Sequence, residues 1–197
     1  MEKLPLIELA ELNKSIILRD SYQDIFSIAD LDGSQDIGDP DAPERYAPMR
    51  MDALLMVLTF EGTLEISLDY VEYKVNPNSF IMIMPTHALQ LNRISKDFKG
   101  RLLIAAKEFL EDCHPGGGNR PHAIANYMEV RKNPCTELEP EEAAKLAGCM
   151  SVIQEKMNVL RASSIIGSGI GVSIIRFSSL RLICLSLGAS FFSYATS

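Results

Sequence analysis

Short hydrophobic segments dominate the middle of the chain. Residues 54–60 form a continuous apolar run, which is typical of a buried strand. From 64 to 68 apolar and polar residues alternate, as in a strand with one solvated face. Further strands, separated by turn residues, are predicted at 71–75, 80–84, 90–94 and 100–105. Many short strands at regular spacing indicate a mainly β sandwich or barrel.

The links and faces of these strands can be predicted as well. Residues 61–63 form a short link containing glycine, which favours a hairpin between the first two strands. The residues expected to point into the barrel are Leu55, Val57, Leu64, Ile66, Ile81 and Ile83. The residues expected to add an adaptable apolar lining are Met56, Met82 and Met84. Such a barrel either holds one small ligand or is filled by its own side chains.

The period of the pattern changes after residue 106. The run Gly116-Gly117-Gly118 disfavours a helix and predicts a loop. Pro140, flanked by glutamates, favours a helix start, because proline suits the first turn and acids there complement the helix dipole. Apolar residues then recur at spacings of three and four, at Leu146, Met150, Ile153, Met157 and Leu160. This stripe predicts either packing on the barrel or a dimer contact with the same helix of a partner.

The last part of the chain, residues 161–197, has a different composition. It contains no Asp, Glu or Lys, and ten of its 37 residues are Ser. Arg176 and Arg181 divide its apolar stretch, and the piece that follows is too short to span a membrane as a helix. The predicted organisation is a barrel over 1–110 with a lead-in over 1–49, a linker and helix over 111–160, and an aberrant tail over 161–197.

Composition narrows the class of protein. A net charge of −7 argues against broad binding of nucleic-acid phosphates, which needs clustered Lys and Arg. The four cysteines form no C-x-x-C pair, and the N-terminus lacks a secretory pattern, so we expect reduced thiols and a cytoplasmic protein. The acidic loop that starts at Asp30 fails as a calcium loop, since its sixth and twelfth positions are Gln35 and Asp41.

Sequence signals for catalysis are weak. The three histidines are His87, His114 and His122, with no His-x-His pair and no carboxylate at a suitable spacing, so we expect no metal. Nucleophile, phosphate-loop and dinucleotide motifs are absent from the sequence, so we expect no enzyme activity and no cofactor. The polar candidates for orienting a small ligand at the barrel are Arg50, Tyr73, His87 and Arg101.

An ordered set of short motifs lies between residues 49 and 110. These motifs are Met49-Arg50-Met51-Asp52, Phe60-Glu61-Gly62, residues 68–80, Met84-Pro85-Thr86-His87, residues 95–100 and Phe109-Leu110. Together they resemble the N-terminal sensor and dimerisation domain of AraC-family transcriptional regulators, in the form common in Bacteroidetes. The resemblance implies a cupin, or jelly-roll, barrel followed by a C-terminal helix or helices. It also implies a small-molecule effector and a homodimer.

The chain departs from the plan of that family after Arg161. In the family, helix-turn-helix modules that read DNA follow the linker helices, whereas residues 161–197 offer no pair of clean amphipathic helices. We therefore expect no DNA-binding module in this chain, no direct binding of nucleic acid and no membrane contact. A shifted reading frame or degeneration would account for the tail. The alternatives are a small cupin-fold enzyme or metal-binding cupin, and an interaction module that pairs with a full-length regulator.

Overall fold

The computed structural model describes residues 4–7, 20–22, 26–34, 47–85, 87–106 and 130–166. Within these ranges lie eleven strands and one long helix. The strands are β1 Leu6–Ile7, β2 Asp20–Tyr22, β3 Phe26–Asp32, β4 Met49–Met51, β5 Ala53–Glu61, β6 Leu64–Leu68, β7 Val71–Val75, β8 Ser79–Ile83, β9 Ala88–Ile94, β10 Lys99–Ala106 and β11 Cys135–Glu137, and the helix is α1 Pro140–Ile166. The predicted glycine loop, and the tail beyond residue 166, lie outside these residues.

The strands form two sheets that share one apolar interior. The first sheet has the order β1-β4-β9-β6-β7, and the second has the order β11-β8-β5-β10-β3-β2. Pairing is antiparallel throughout the described ladders, except between β1 and β4. Side chains from both sheets meet in a single buried cluster. The expected mainly β fold of the jelly-roll type, followed by a C-terminal helix, is confirmed.

The link over residues 61–63 is a turn, but the predicted hairpin is wrong. Strand β5 pairs with β8 and β10, whereas β6 pairs with β7 and β9. The chain therefore crosses from one sheet to the other at Gly62, whose φ is 69°. A Cβ atom at Gly62 would lie 2.6 Å from the backbone nitrogen of Phe98. Glycine is required here by both the left-handed conformation and the close approach.

The second sheet is buried on both of its faces, which explains why β5 is apolar at every position from Ala53 to Leu58. Along β5 and β8, successive apolar side chains point alternately into the interior between the sheets and towards helix α1. All six residues predicted to point inward belong to the interior cluster. The predicted methionine lining is wrong, because Met56, Met82 and Met84 pack in the cluster beneath α1. Their positions alternate with those of the inward residues, and a strand places alternate side chains on opposite faces.

Helix α1 begins at Pro140, as predicted, and packs its apolar stripe on the outer face of the second sheet. Leu146, Met150, Ile153 and Met157 are at most 8% exposed and share a cluster with residues of β3, β5, β8 and β10. The structure favours packing over a dimer contact for these four residues, since buried side chains have no surface to offer a partner. The side chain of Leu160 lies outside the described residues.

The helix continues beyond the expected boundary at residue 160 and ends at Ile166. No glycine or proline interrupts residues 149–166, and Gly167 follows directly in the sequence. An interior free of these two residues allows the helix to continue. In the part of the chain that the structure describes, no helix combines the length and apolarity needed to cross a membrane.

Two neighbouring residues of α1 provide a test of this packing. Ile153→Ala removes a fully buried side chain, so we expect it to lower the free energy of unfolding by about 2–5 kcal/mol. Val152→Ala changes a side chain that is 44% exposed, so we expect a change within about 0.5 kcal/mol. Urea denaturation of both variants measures the difference. Equal losses in the two variants would contradict the docking of α1 by this stripe.

Candidate functional site

The four residues predicted to bind a ligand do not converge on one point. Arg50 is exposed on β4, and Tyr73 of β7 is half-buried against the interior cluster. His87 is buried in the link between β8 and β9. Arg101 of β10 contacts α1 on the outer face of the second sheet. The structure therefore leaves Tyr73 and His87 as candidates near the barrel and gives Arg101 a different position.

His87 is held by two hydrogen bonds with Met84. The His87 N–H donates to Met84 O at 3.0 Å, and the Met84 N–H donates to His87 Nδ1 at 3.3 Å. Because Nδ1 accepts this hydrogen bond, the neutral imidazole carries its own proton on Nε2. Burial lowers the pKa of His87 from its ordinary value; the nearby Asp69 carboxylate opposes this change and Arg131 adds to it. The ring is therefore neutral at pH 7.

Asp69 connects three segments around His87. Its carboxylate accepts the Ala88 N–H on Oδ1 at 2.9 Å and an Arg131 N–H on Oδ2 at 3.3 Å. Its own N–H donates to Ala88 O at 2.9 Å. Asp69 and Tyr70 both have positive φ, 49° and 69°, in the turn between β6 and β7. Asp tolerates this conformation better than a bulky residue does, so the turn at Tyr70 carries strain.

Tyr73 and Cys135 occupy the edge strands on the same side of the barrel, and both pack against the interior cluster. Burial raises the pKa of Tyr73, and Cys135 and Asp69 raise it further. Burial, with a smaller contribution from Glu137, raises the pKa of the Cys135 thiol to about 11. Both groups are therefore protonated donors at pH 7. Asp69, Tyr73, His87, Arg131 and Cys135 together form what we term the polar rim.

The sequence reasoning found two members of the polar rim and missed three. Asp69 sits in a predicted turn, and a turn aspartate is usually a solvated residue rather than a site residue. Arg131 and Cys135 lie in a segment with no strong periodic pattern, and only the folded chain brings them near β7. Among the described residues, no group of three or more His, Cys, Asp or Glu could hold a metal ion. His114 and His122 lie outside those residues.

Arg101 links the barrel to α1. Its Nε donates to Asp30 Oδ1 at 2.7 Å, and its Nη1 donates to Ser151 Oγ at 2.7 Å. The Ser151 hydroxyl donates in turn to Ala147 O at 2.9 Å. The Arg101 side chain is 16% exposed and that of Asp30 is 61% exposed, so solvent screens the ion pair. This polar connection lies beside the apolar stripe and fixes where α1 sits on the sheet.

Comparison with known proteins finds similar solved structures at low sequence identity. The chain matches no protein-family model, and it matches no curated protein. It is similar to the AraC-like transcriptional activator CuxR at 12% identity and a TM-score of 0.43, over 88% of this chain and 49% of that one. For ToxT from Vibrio cholerae the identity is 12% and the TM-score 0.36, over 64% of this chain and 46% of that one.

A third similar structure is the cupin domain of Cnp3 from Schizosaccharomyces pombe, at 11% identity and a TM-score of 0.34. The match covers 51% of this chain and 69% of that domain. The chain thus spans about half the length of the CuxR and ToxT structures. Similarity at this level assigns no activity, ligand or partner to the chain.

The environment of His87 predicts a pH dependence of stability. The unfolded chain binds a proton at His87 near pH 6.5, whereas the folded chain binds it only at lower pH. Stability contributed by the neutral ring is therefore present above pH 6.5 and is lost as the pH falls below it, at up to about 1.4 kcal/mol per pH unit. We expect His87→Gln to flatten this slope in denaturation curves recorded between about pH 6.5 and 5.

His114→Gln and His122→Gln are the matched controls for this measurement, because these are the other two histidines of the chain. Both controls should retain the slope of the unchanged protein. A slope that survives in His87→Gln, or that disappears in a control, would show that another group titrates in this range.

Proposed function

We propose that this chain is the small-molecule-sensing and dimerisation domain of an AraC-like transcriptional regulator. In this proposal the chain is cytoplasmic, acts as a homodimer and is not an enzyme. Residues 1–110 would sense the effector, and residues 111–160 would transmit the signal and dimerise. The ordered motifs of residues 49–110 support the proposal, as does the mainly β fold with a C-terminal helix.

The burial pattern of the second sheet is the observation that carries the proposal. Strands β5, β8 and β10 contribute alternate residues to the interior cluster and to the cluster under α1. Close-packed side chains transmit displacement because they leave little space to absorb it. A molecule that enters the interior and displaces Leu55 or Ile81 therefore acts on the strands that carry Met56 and Met82, on which α1 rests.

The polar rim supplies hydrogen-bonding groups for an effector at one side of the barrel. Tyr73 and Cys135 are protonated donors, and His87 carries a proton on Nε2. Asp69 connects the rim to β9 and to the segment that contains Arg131. Contact with an effector at the rim would thus reach several elements at once. Arg50 stays a candidate contact in this proposal, while Arg101 acts in the connection to α1.

Hydrogen exchange along α1 tests the sensing role. Small metabolites that raise the unfolding temperature of the full chain are first selected, and amide exchange is then measured over residues 140–159 with and without each one. We expect a bound metabolite to change exchange in α1. As a comparison, Arg101→Met removes the hydrogen bonds to Asp30 and Ser151 and should speed exchange of α1 without a ligand. Ligands that bind and leave α1 unchanged would contradict the proposal.

Self-association tests the dimerisation role. Because the inner stripe of α1 is buried, the dimer must use an outer surface, and Val152 and Val159 are 44% and 56% exposed on the helix. We expect sedimentation velocity to detect a dimer of the full chain, and we expect Val152→Glu to shift it towards monomer. Asn158→Glu introduces the same charge at another exposed position and should have less effect. A monomer at all concentrations would contradict dimerisation.

A further inference from the structure

Two buried hydroxyl groups lie side by side on β5 and β8. Thr59 is 0% exposed and Ser79 is 1% exposed, and within the described residues neither Thr59 Oγ1 nor Ser79 Oγ has a hydrogen-bond partner. The antiparallel register pairs Leu58 with Phe80, which makes Thr59 and Ser79 neighbours at the next position. The Asn78 N–H donates to Thr59 O at 2.9 Å and holds the two strand ends together.

Both side chains point into the interior between the sheets. Thr59 follows Leu55 and Val57 on one face of β5, and Ser79 precedes Ile81 and Ile83 on the same face of the sheet. Gly100 of β10 pairs with Thr59 on its other side. The ring of Phe98 covers Gly100, since a Cβ atom there would lie 2.9 Å from Phe98 Cζ. The two hydroxyls therefore face apolar surroundings that include an aromatic ring.

The chemistry of this pair is unusual for the interior of the barrel. A buried hydroxyl without a partner loses its hydrogen bonds to water, whereas valine at Thr59 or alanine at Ser79 would have a similar shape without this loss. The interior cluster around the pair consists of apolar residues. Two adjacent polar groups in such a place point to a bound polar atom that satisfies both.

We propose that Thr59 and Ser79 bind the polar group of the small molecule that the barrel senses, and that this group is uncharged. The inference rests on the proposed sensing function and names the class of effector: a small apolar molecule with a hydroxyl, carbonyl or amide group. A hydroxyl side chain can donate to a carbonyl and accept from a hydroxyl or amide. An ionised group is disfavoured, because no Asp, Glu, Lys or Arg among the described residues is buried and could compensate its charge.

Three probes of equal chain length test the charge preference: hexanol, hexanoate and hexylammonium. Each is titrated into the labelled full chain at pH 7, and backbone amide shifts are recorded by NMR. We expect hexanol to shift the amides of Thr59 and Ser79, and we expect the two ions to leave them unchanged. Equal shifts with hexanoate or hexylammonium would overturn the assignment to an uncharged group, and no shift with any probe would overturn the site.

Two variants and two controls locate the binding group. Thr59→Val and Ser79→Ala each remove one hydrogen bond to the probe, so we expect each to weaken hexanol binding by about five-fold. Without the probe each should raise the unfolding temperature, because an unpartnered hydroxyl is lost. Thr136→Val on β11 and Ser67→Ala on β6 remove hydroxyls outside the interior pair and should leave hexanol binding unchanged. Lower unfolding temperatures in both interior variants would overturn the proposal, since the hydroxyls would then already be satisfied.

These results separate the site from the sensing function. Hexanol shifts at Thr59 and Ser79 without changed exchange in α1 would support the binding site and contradict the proposed function. Binding confined to the polar rim, together with changed exchange in α1, would overturn this site and leave the sensing function supported.

Discussion

Burial of the six-stranded sheet on both faces is the constraint on which the rest of the structure depends. One face closes against the five-stranded sheet, and helix α1 covers the other with Leu146, Met150, Ile153 and Met157. A sheet in this position needs mostly apolar residues along its central strands, and β5 and β8 are apolar at every position except Thr59, Glu61 and Ser79. Helix α1 packs on side chains from the same strands whose alternate residues line the interior of the barrel. The interior and the helix therefore form one packed unit.

Three groups of polar residues in the described part of the chain have different physical consequences. Arg101 connects the barrel to α1 where solvent still reaches its partner Asp30, so it fixes position more than it adds stability. In the polar rim, burial favours the neutral, protonated forms of Tyr73 and Cys135. Thr59 and Ser79 are at most 1% exposed, and no Asp, Glu, Lys or Arg among the described residues is buried beside them. A small molecule that contacts either the rim or the interior pair would act on strands that also carry the helix.

Several features of the site were predictable, and others depend on contacts between distant residues. The alternation of β7 and the end of the next apolar run at Pro85 were sufficient to identify Tyr73 and His87 as polar residues beside a barrel, because both features are local patterns. Asp69, Arg131 and Cys135 could not be grouped with them, since Asp69 and Arg131 are 62 positions apart. The role of Arg101 was also hidden, because its side chain lies on the opposite face from the interior.

The sequence by itself determined the class of fold, the strands of residues 53–106, the start of α1 and the inward positions of Leu64 and Ile66, because each depends on a local pattern along the chain. Tertiary structure decided the rest. A short glycine-containing link is compatible with a hairpin or a crossover, and only sheet pairing showed that Gly62 changes sheets. A continuous apolar run does not indicate which face of a strand packs against a helix. Only the contacts with α1 therefore showed that Met56, Met82 and Met84 point towards the helix. The apolar stripe of α1 is compatible with packing either on the barrel or on a partner helix. Its burial within the chain shows that it packs on the barrel.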